Sequence, residues 1–287
     1  MLEKMQEITD LIKNEKSIVM LAPTFPIDFK YPSIIGMLRE LGFNFVTELT
    51  YGARMVNWSY VKYIEDNPDQ KHFIASPCPI VVSMIEGQYP ELKKYLIPIV
   101  SPMSSMARIY KKHHPDHKVV FISPCLAKKN LEAPKYKEEI DLVLTFEELK
   151  EIFESQNIKP DDFSRDYYFD SFIREYTKVY PISGGLASTA HISKFFKPEE
   201  ILIIDGLENI KKALDDIKSG QSQYRFFDIL NCSGGCIGGP CLNNKDLSES
   251  EKKTKVKEYA EESSKRNMNG HEGKVDYAKD VDFSIGF

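Results

Sequence analysis

The sequence predicts an α/β fold of two lobes, each a mainly parallel sheet flanked by helices. Short β-branched apolar runs alternate with longer stretches of helical periodicity, three of the runs end in cysteine, and one polar loop divides the alternation. Strands are expected at 17–22 ("SIVMLA"), 72–76 ("HFIAS"), 118–123 ("KVVFIS"), 141–145 ("DLVLT"), 200–205 ("EILIID") and 226–231 ("FFDILN"). Helical spacing predicts helices at 2–15, 33–41, 52–65, 79–86, 102–113, 146–155, 168–177, 207–219 and 249–266. Ser101 and Pro102 read as the cap and first residue of the helix at 102–113. The stretch "NIKPDDFSRD", 157–166, is the clearest internal loop and marks the division between the two halves. Its acidic residues read as a solvated turn. Residues 245–287 read as a charged helix followed by a tail whose aromatic residues dock it on the body.

A chain of 287 residues is long enough for a sizeable core. Its net charge of -5 offers no basic excess to neutralise phosphates, which excludes nucleic acid as the main partner. The N-terminal "MLEKMQEITDLIKNEK" alternates charged and apolar residues and lacks the apolar stretch of a signal peptide. No apolar run reaches bilayer-spanning length, so no membrane association is expected. The expectation is a cytoplasmic protein. In that reducing compartment an odd set of five cysteines is not a disulfide framework.

The cysteines fall where ligands belong in open α/β sheets, outside the carboxyl ends of strands. "HFIASPC" ends at Cys78, "KVVFISPC" at Cys125 and "RFFDILNC" at Cys232, and the repeated "SPC" reads as one local solution used twice. Cys236 follows Cys232 in a CxxxC loop, "CSGGCIGG". Four thiolates from separated segments suit a cuboidal 4Fe-4S cluster. Zinc is the main alternative, although structural zinc sites favour tight CxxC knuckles and none occurs here. Gly234, Gly235, Gly238 and Gly239 let backbone approach a bulky inorganic centre. Lys128 and Lys129 lie one helical turn beyond Cys125, placed either to offset cluster charge or to face solvent as a pair. Cys241 stands outside the four-ligand pattern. His113, His114 and His117 read as a solvated turn, and Met103 and Met106 as core.

"SPCPIVVSMIEGQYPEL", "SPCLAKK" and "CSGGCIGG" resemble, in order and separation, the three segments around the active-site H-cluster of FeFe hydrogenases. "PISGGLAS", 181–188, resembles the glycine pair that faces the same cluster. The resemblance covers nearly the whole chain and implies one H-cluster domain over 1–287, with the metal cluster in the cleft between its lobes. It implies a 4Fe-4S cubane on Cys78, Cys125, Cys232 and Cys236. Cys236 would also bridge to a diiron unit carrying carbon monoxide, cyanide and an azadithiolate. Lys128 would contact one cyanide, Ala22, Pro23 and Thr24 would line the cavity near the other, and Gly184 and Gly185 would border the dithiolate. Ser101 would present its hydroxyl to the same pocket. The implied activity interconverts protons and electrons with dihydrogen, with Lys128 and Cys236 as catalytic residues. The implied partners are an external low-potential electron donor or acceptor such as ferredoxin, and the hydrogenase maturation proteins.

The departures from the family pattern matter as much. Where hydrogen-producing members place a proton-donating cysteine before the first cubane ligand, this chain has Pro77, which relays no proton. The remaining positions of the usual relay fall near Tyr60, Tyr63 and Ile97, and the flanking methionines near Ser123 and Leu230. No ferredoxin-like cysteine runs before the domain and no output domain after it are expected from this sequence. The pocket therefore resembles divergent or sensory members, and slow turnover is the expectation. The alternatives are a hydrogen-sensing regulatory protein, or an iron-sulfur assembly or carrier protein without the diiron unit.

Overall fold

The computed structural model describes residues 8–10, 12–163, 167–170, 176–265 and 275–287. Its first sheet runs in the order β2-β1-β4-β5, from β1 (Ser17–Leu21), β2 (Phe45–Glu48), β4 (Lys118–Ser123) and β5 (Leu142–Thr145). The second runs β3-β7-β6, from β3 (Phe73–Ile74), β6 (Ile201–Asp205) and β7 (Phe226–Leu230). Every neighbouring pair is parallel. Parallel sheets need both faces covered, which explains why these strands read as continuous apolar runs. In the second sheet the alternation is visible by residue. Phe73 and Phe226 pack into one apolar cluster, and Ile74, Phe227 and Ile229 into another on the opposite face.

The covering helices are α1 (Ser33–Leu41), α2 (Thr50–Asp66), α3 (Pro79–Gln88), α4 (Pro102–His113), α5 (Phe146–Ser155), α6 (Gly185–Thr189), α7 (Leu207–Lys218) and α8 (Glu249–Lys265). Pro79 and Pro102 start α3 and α4, where the missing N–H costs nothing. A capping box on Thr145 and Glu148 starts α5.

The two lobes are interleaved in the chain, which corrects the expected division at 157–166. The chain leaves the first sheet through α2, lays down β3 in the second, and returns through α4 to β4. Residues 160–162 form a single 3-10 turn, and 164–166 lie outside the described residues.

Other expectations need correction. β2 was not expected from the sequence. The strand expected over 72–76 is a strand only at Phe73–Ile74, with the Ala75 N–H donating to the Phe227 carbonyl at 3.0 Å just beyond it. Residues 168–170, expected to begin a helix over 168–177, are not helical, and Asp170 is tied to β2 instead. Asp170 there donates its N–H to the Val46 carbonyl at 2.9 Å, and its carboxylate accepts the Val46 N–H at 2.7 Å. Residues 171–175 lie outside the described residues, and Tyr176–Val179 form a 3-10 turn. Of the N-terminal helix, 8–10 and 12–14 are helical and the rest lies outside the described residues.

The histidines at the end of α4 and after it are only in part a solvated turn, with His113 exposed, His114 half-buried and His117 buried. His113 stacks on Tyr277 with ring centroids 4.0 Å apart, and His114 bonds the Tyr277 hydroxyl at 2.7 Å. Farther on, the chain runs against the loop before α4. Phe283 accepts the Val100 N–H at 2.9 Å and Ile285 donates to Pro98 at 3.0 Å. Among the described residues no helix is long and apolar enough to cross a membrane.

Candidate metal centre

Each sheet sends the carboxyl ends of two strands to one point. From the first come Ala22–Thr24 after β1 and Ser123–Cys125 after β4; from the second come Pro77–Cys78 after β3 and Leu230–Cys232 after β7. These segments, with Lys128, Tyr180, Gly235 and Cys236, wall a cavity of about 100 Å³. The thiols of Cys78, Cys125, Cys232 and Cys236 are all free and all in its wall, and most of the remaining wall is apolar. This is the position that the topology of open parallel sheets favours for a ligand.

Cys236 is placed by backbone. Its N–H donates to the Pro181 carbonyl at 2.7 Å, and Ser183 donates to Gly234 at 2.9 Å. Gly235 has φ +93°, and a Cβ there would stand 2.5 Å from the Pro181 carbonyl oxygen. Glycine is required so that 181–183 and 234–236 can lie side by side. Gly185 is required by its own turn instead, since a Cβ there would lie 2.3 Å from the Val179 carbonyl oxygen.

Burial pushes the thiols of Cys125, Cys232 and Cys236 up, and neighbouring thiols raise them further. Cys232 rises to about 11, and Cys236 stands well above the ordinary range. Burial raises Cys125 as well, against the opposing pull of Lys128. Among the described residues no three His, Cys, Asp or Glu side chains gather closely enough for a single metal ion. The thiols thus ring a cavity rather than a point, which suits a polynuclear cluster better than zinc. Thr24 Oγ1 and the Tyr180 hydroxyl are buried without a hydrogen-bond partner in the protein. An unmet buried hydroxyl costs about 1–3 kcal/mol, so a wall holding two of them favours a polar group between its sides. The donor set fits an iron-sulfur cluster.

A sequence model of the family described as iron only hydrogenase large subunit, C-terminal domain, matches residues 15–240. The chain belongs to this iron-only hydrogenase family. It is 29% identical over 265 residues to iron hydrogenase 1 of Clostridium pasteurianum, covering 74% of this chain and 46% of that protein. It is 27% identical over 207 residues to the cytosolic Fe-S cluster assembly factor NAR1 of Encephalitozoon cuniculi, covering 66% of this chain and 56% of that one. A solved structure of the FeFe-hydrogenase HydA1 from Chlamydomonas reinhardtii shares the fold. The TM-score is 0.66 at 15% identity, over 95% of this chain and 94% of that one. The chain spans about half the length of the curated relatives it matches.

Within this iron-only hydrogenase fold, the residues named from sequence are brought together unevenly. Ala22, Pro23, Thr24, Lys128 and the four cysteines share the cavity, as do Pro77, Ser123 and Leu230. Ser101, Gly184 and Gly185 do not line it. The Ser101 hydroxyl bonds Glu132 and faces a second cavity instead. The space beside Gly184 is taken by Ile203, and that beside Gly185 by backbone. Gly235 and Gly239 line the cavity, whereas Gly234 and Gly238 do not. Lys129 pairs with Glu148, which assigns it to the fold. Cys241 is buried outside the cavity, its N–H on Pro124 at 3.0 Å. Tyr60 is buried and bonded to Ser76 at 2.8 Å, and Tyr63 bonds Gln70 at 3.0 Å.

Glu132 and Tyr180 were missed. Lys128 Nζ donates to the Pro77 carbonyl at 3.0 Å and pairs with Glu132, which also takes the Ser101 hydroxyl. The signal was present in the sequence as opposite charges at Lys128 and Glu132, four apart on a helical stretch. Nothing in the sequence marks Tyr180.

Proposed function

We propose that Cys78, Cys125, Cys232 and Cys236 hold a 4Fe-4S cluster, with Cys236 bridging to a diiron unit, and that the domain interconverts dihydrogen with protons and electrons slowly. The convergence of four free thiols from both sheets on one apolar cavity, with Lys128 in its wall, carries this reading. When bound, the cluster would supply electron transfer and an open iron site for dihydrogen. The chain's own residues do the rest. The thiols fix the group between the lobes. The Lys128 ammonium, held by Pro77 and Glu132, offers a fixed positive charge that suits an anionic ligand such as cyanide. The apolar wall excludes water and strengthens that charge.

Proton supply is what this site lacks. Pro77 carries no acid, and its carbonyl is already occupied by Lys128. The Ser76 hydroxyl behind it is committed to the carbonyls of Ile97 and Ile99, at 2.8 and 3.0 Å. A positioned acid or base typically contributes about 10²–10⁴-fold, so its loss alone accounts for slow, sensor-like turnover. The electron partner in this reading is an external low-potential carrier such as ferredoxin, and maturation proteins install the diiron unit in the cytoplasm.

A second reading, iron-sulfur assembly or carriage without the diiron unit, is favoured by the similarity to the NAR1 assembly factor. Hydrogen evolution by protein matured without oxygen, from a reduced low-potential donor, separates the two. Slow evolution that Pro77→Cys accelerates supports the first reading. No evolution, together with cluster transfer to an acceptor apoprotein, supports the second.

A further inference from the structure

The stretch 96–100, which leads into α4, has backbone partners on both sides. On the inner side lies β3, where Ile97 donates to the Ile74 carbonyl at 2.9 Å and Leu96 forms a parallel bridge with Ile74. The Ser76 hydroxyl strengthens this contact, because it donates to the Ile97 and Ile99 carbonyls at 2.8 and 3.0 Å. On the outer side lies 283–285. Val100 donates to the Phe283 carbonyl at 2.9 Å and Ile285 to the Pro98 carbonyl at 3.0 Å, which sets Ser284 opposite Ile99 as an antiparallel bridge. Two short segments thus extend the second sheet past β3.

The outer segment is gripped from the other lobe. Arg108 lies on α4, whose Met103, Met106 and Ile109 belong to the core of the first sheet. One guanidinium nitrogen donates to the carbonyls of Asp282 and Ser284, at 2.8 and 3.0 Å, and Nε donates to Glu139 at 2.9 Å. One turn farther along α4, Lys112 donates to the Lys279 carbonyl at 2.6 Å. Phe283 itself packs against the apolar clusters of both lobes. The stretch 282–285 therefore staples the lobes together, and it does so two segments away from the Ser76-Pro77-Cys78 tripeptide.

We infer that segment 282–285 positions the Cys78 thiol. It holds 97–100 against β3, and Ser76, two residues before the cysteine, passes that constraint to the thiol cavity. The inference rests on the reading of Cys78 as a cluster ligand, and it names what sets the reach of that thiol toward Cys125 in the opposite lobe.

Two variants test the staple without touching the thiol cavity. Phe283→Ala removes the packing between the lobes, and Arg108→Ala removes the grip on 282 and 284. In metal-free protein, the initial rates at which iodoacetamide alkylates Cys78 and Cys232 are read side by side by mass spectrometry. Each variant should speed Cys78 by about threefold to tenfold, the equilibrium weight of one net hydrogen bond, and leave Cys232 unchanged. In a Ser76→Ala background, where the link is already cut, Phe283→Ala should add no further acceleration. An unchanged Cys78 rate in both single variants overturns the inference. So does equal acceleration of Cys232, which marks general loosening, or a full further effect in the absence of the Ser76 hydroxyl. After reconstitution with iron and sulfide, both variants should lose cluster to a chelator faster than wild type by a similar factor, and wild-type retention in both also overturns the inference. If wild type itself retains no cluster, the ligand reading fails, and the alkylation rates still decide the positioning.

Discussion

The tripeptide Ser-Pro-Cys stands at 76–78 and again at 123–125, each time where a parallel strand ends, and its two copies lead to different structures. After the first, Pro79 starts α3 at once, with Cys78 as the residue before it. After the second there is no proline, and the chain passes into the π-helical turn of Lys128–Glu132. The serines diverge too. Ser76 reaches across to the carbonyls of Ile97 and Ile99 and meets the Tyr60 hydroxyl, whereas among the described residues the Ser123 hydroxyl takes only the Cys125 N–H, at 3.0 Å. The shared motif therefore delivers a thiol, and its surroundings decide what else arrives with it. The first copy anchors β3 in the interior, and the second brings an ammonium to the cavity wall with the Glu132 carboxylate behind it.

The comparison breaks most readily at the cysteines. Cys78→Ala and Cys125→Ala should each abolish cluster retention after anaerobic reconstitution with iron and sulfide, while Cys241→Ala retains it. Iron and sulfide analysis gives the answer, and a cluster that survives the loss of either thiol would show the two copies are not equivalent ligands. Lys128→Ala comes next, because the residue three beyond Cys78 is the buried Val81 and offers no second ammonium. The variant should keep the cubane signal in electron paramagnetic resonance and lose carbonyl and cyanide infrared bands. Intact bands would reduce Lys128 to a partner of Glu132.

A third test concerns the sheet beneath the first copy, where β7 buries Asp228. Burial raises its carboxyl from the ordinary 3.8 to about 6, although its carboxylate accepts the Ala187 N–H. Between about pH 4 and about pH 6 the native state binds more protons than the unfolded one, so this group's contribution to stability falls as pH rises through that window. Above it the whole penalty remains. Asp228→Asn should stabilise the metal-free protein at neutral pH by up to about 3 kcal/mol, with the gain vanishing below about pH 4. Denaturant titrations at the two pH values check this, and a gain that does not depend on pH would disprove the assignment. The smallest effects separate the serines. Ser76→Ala strands buried carbonyls and should cost about 1–3 kcal/mol, against about 1 kcal/mol or less for Ser123→Ala. Equal costs would erase the distinction.

Much of this was legible in the sequence where signals are local. Continuous β-branched runs announced most strands, because a parallel sheet buried on both faces tolerates little else. The cysteine after each of three runs placed the site at the strand ends. β2 was illegible because Phe45–Glu48 is short and ends in two polar residues that the fold buries, Thr47 and Glu48. The segment at 168–170 looked helical, yet its Asp170 is tied by long-range hydrogen bonds to Val46 and Arg39. Ser101 was assigned to the wrong cavity because its partner, Glu132, is 31 residues away and reaches it only through a π turn. Gly184 and Gly185 were given a role toward the cluster, when what crowds them is protein.

The most direct test of the central claim is the infrared spectrum of the protein matured without oxygen by hydrogenase maturation enzymes. Metal-bound carbonyl and cyanide bands, absent when Cys236 is replaced by alanine and present when Cys241 is, are the predicted result. Iron at the level of the cubane alone, under conditions that mature a hydrogenase treated in parallel, would contradict it.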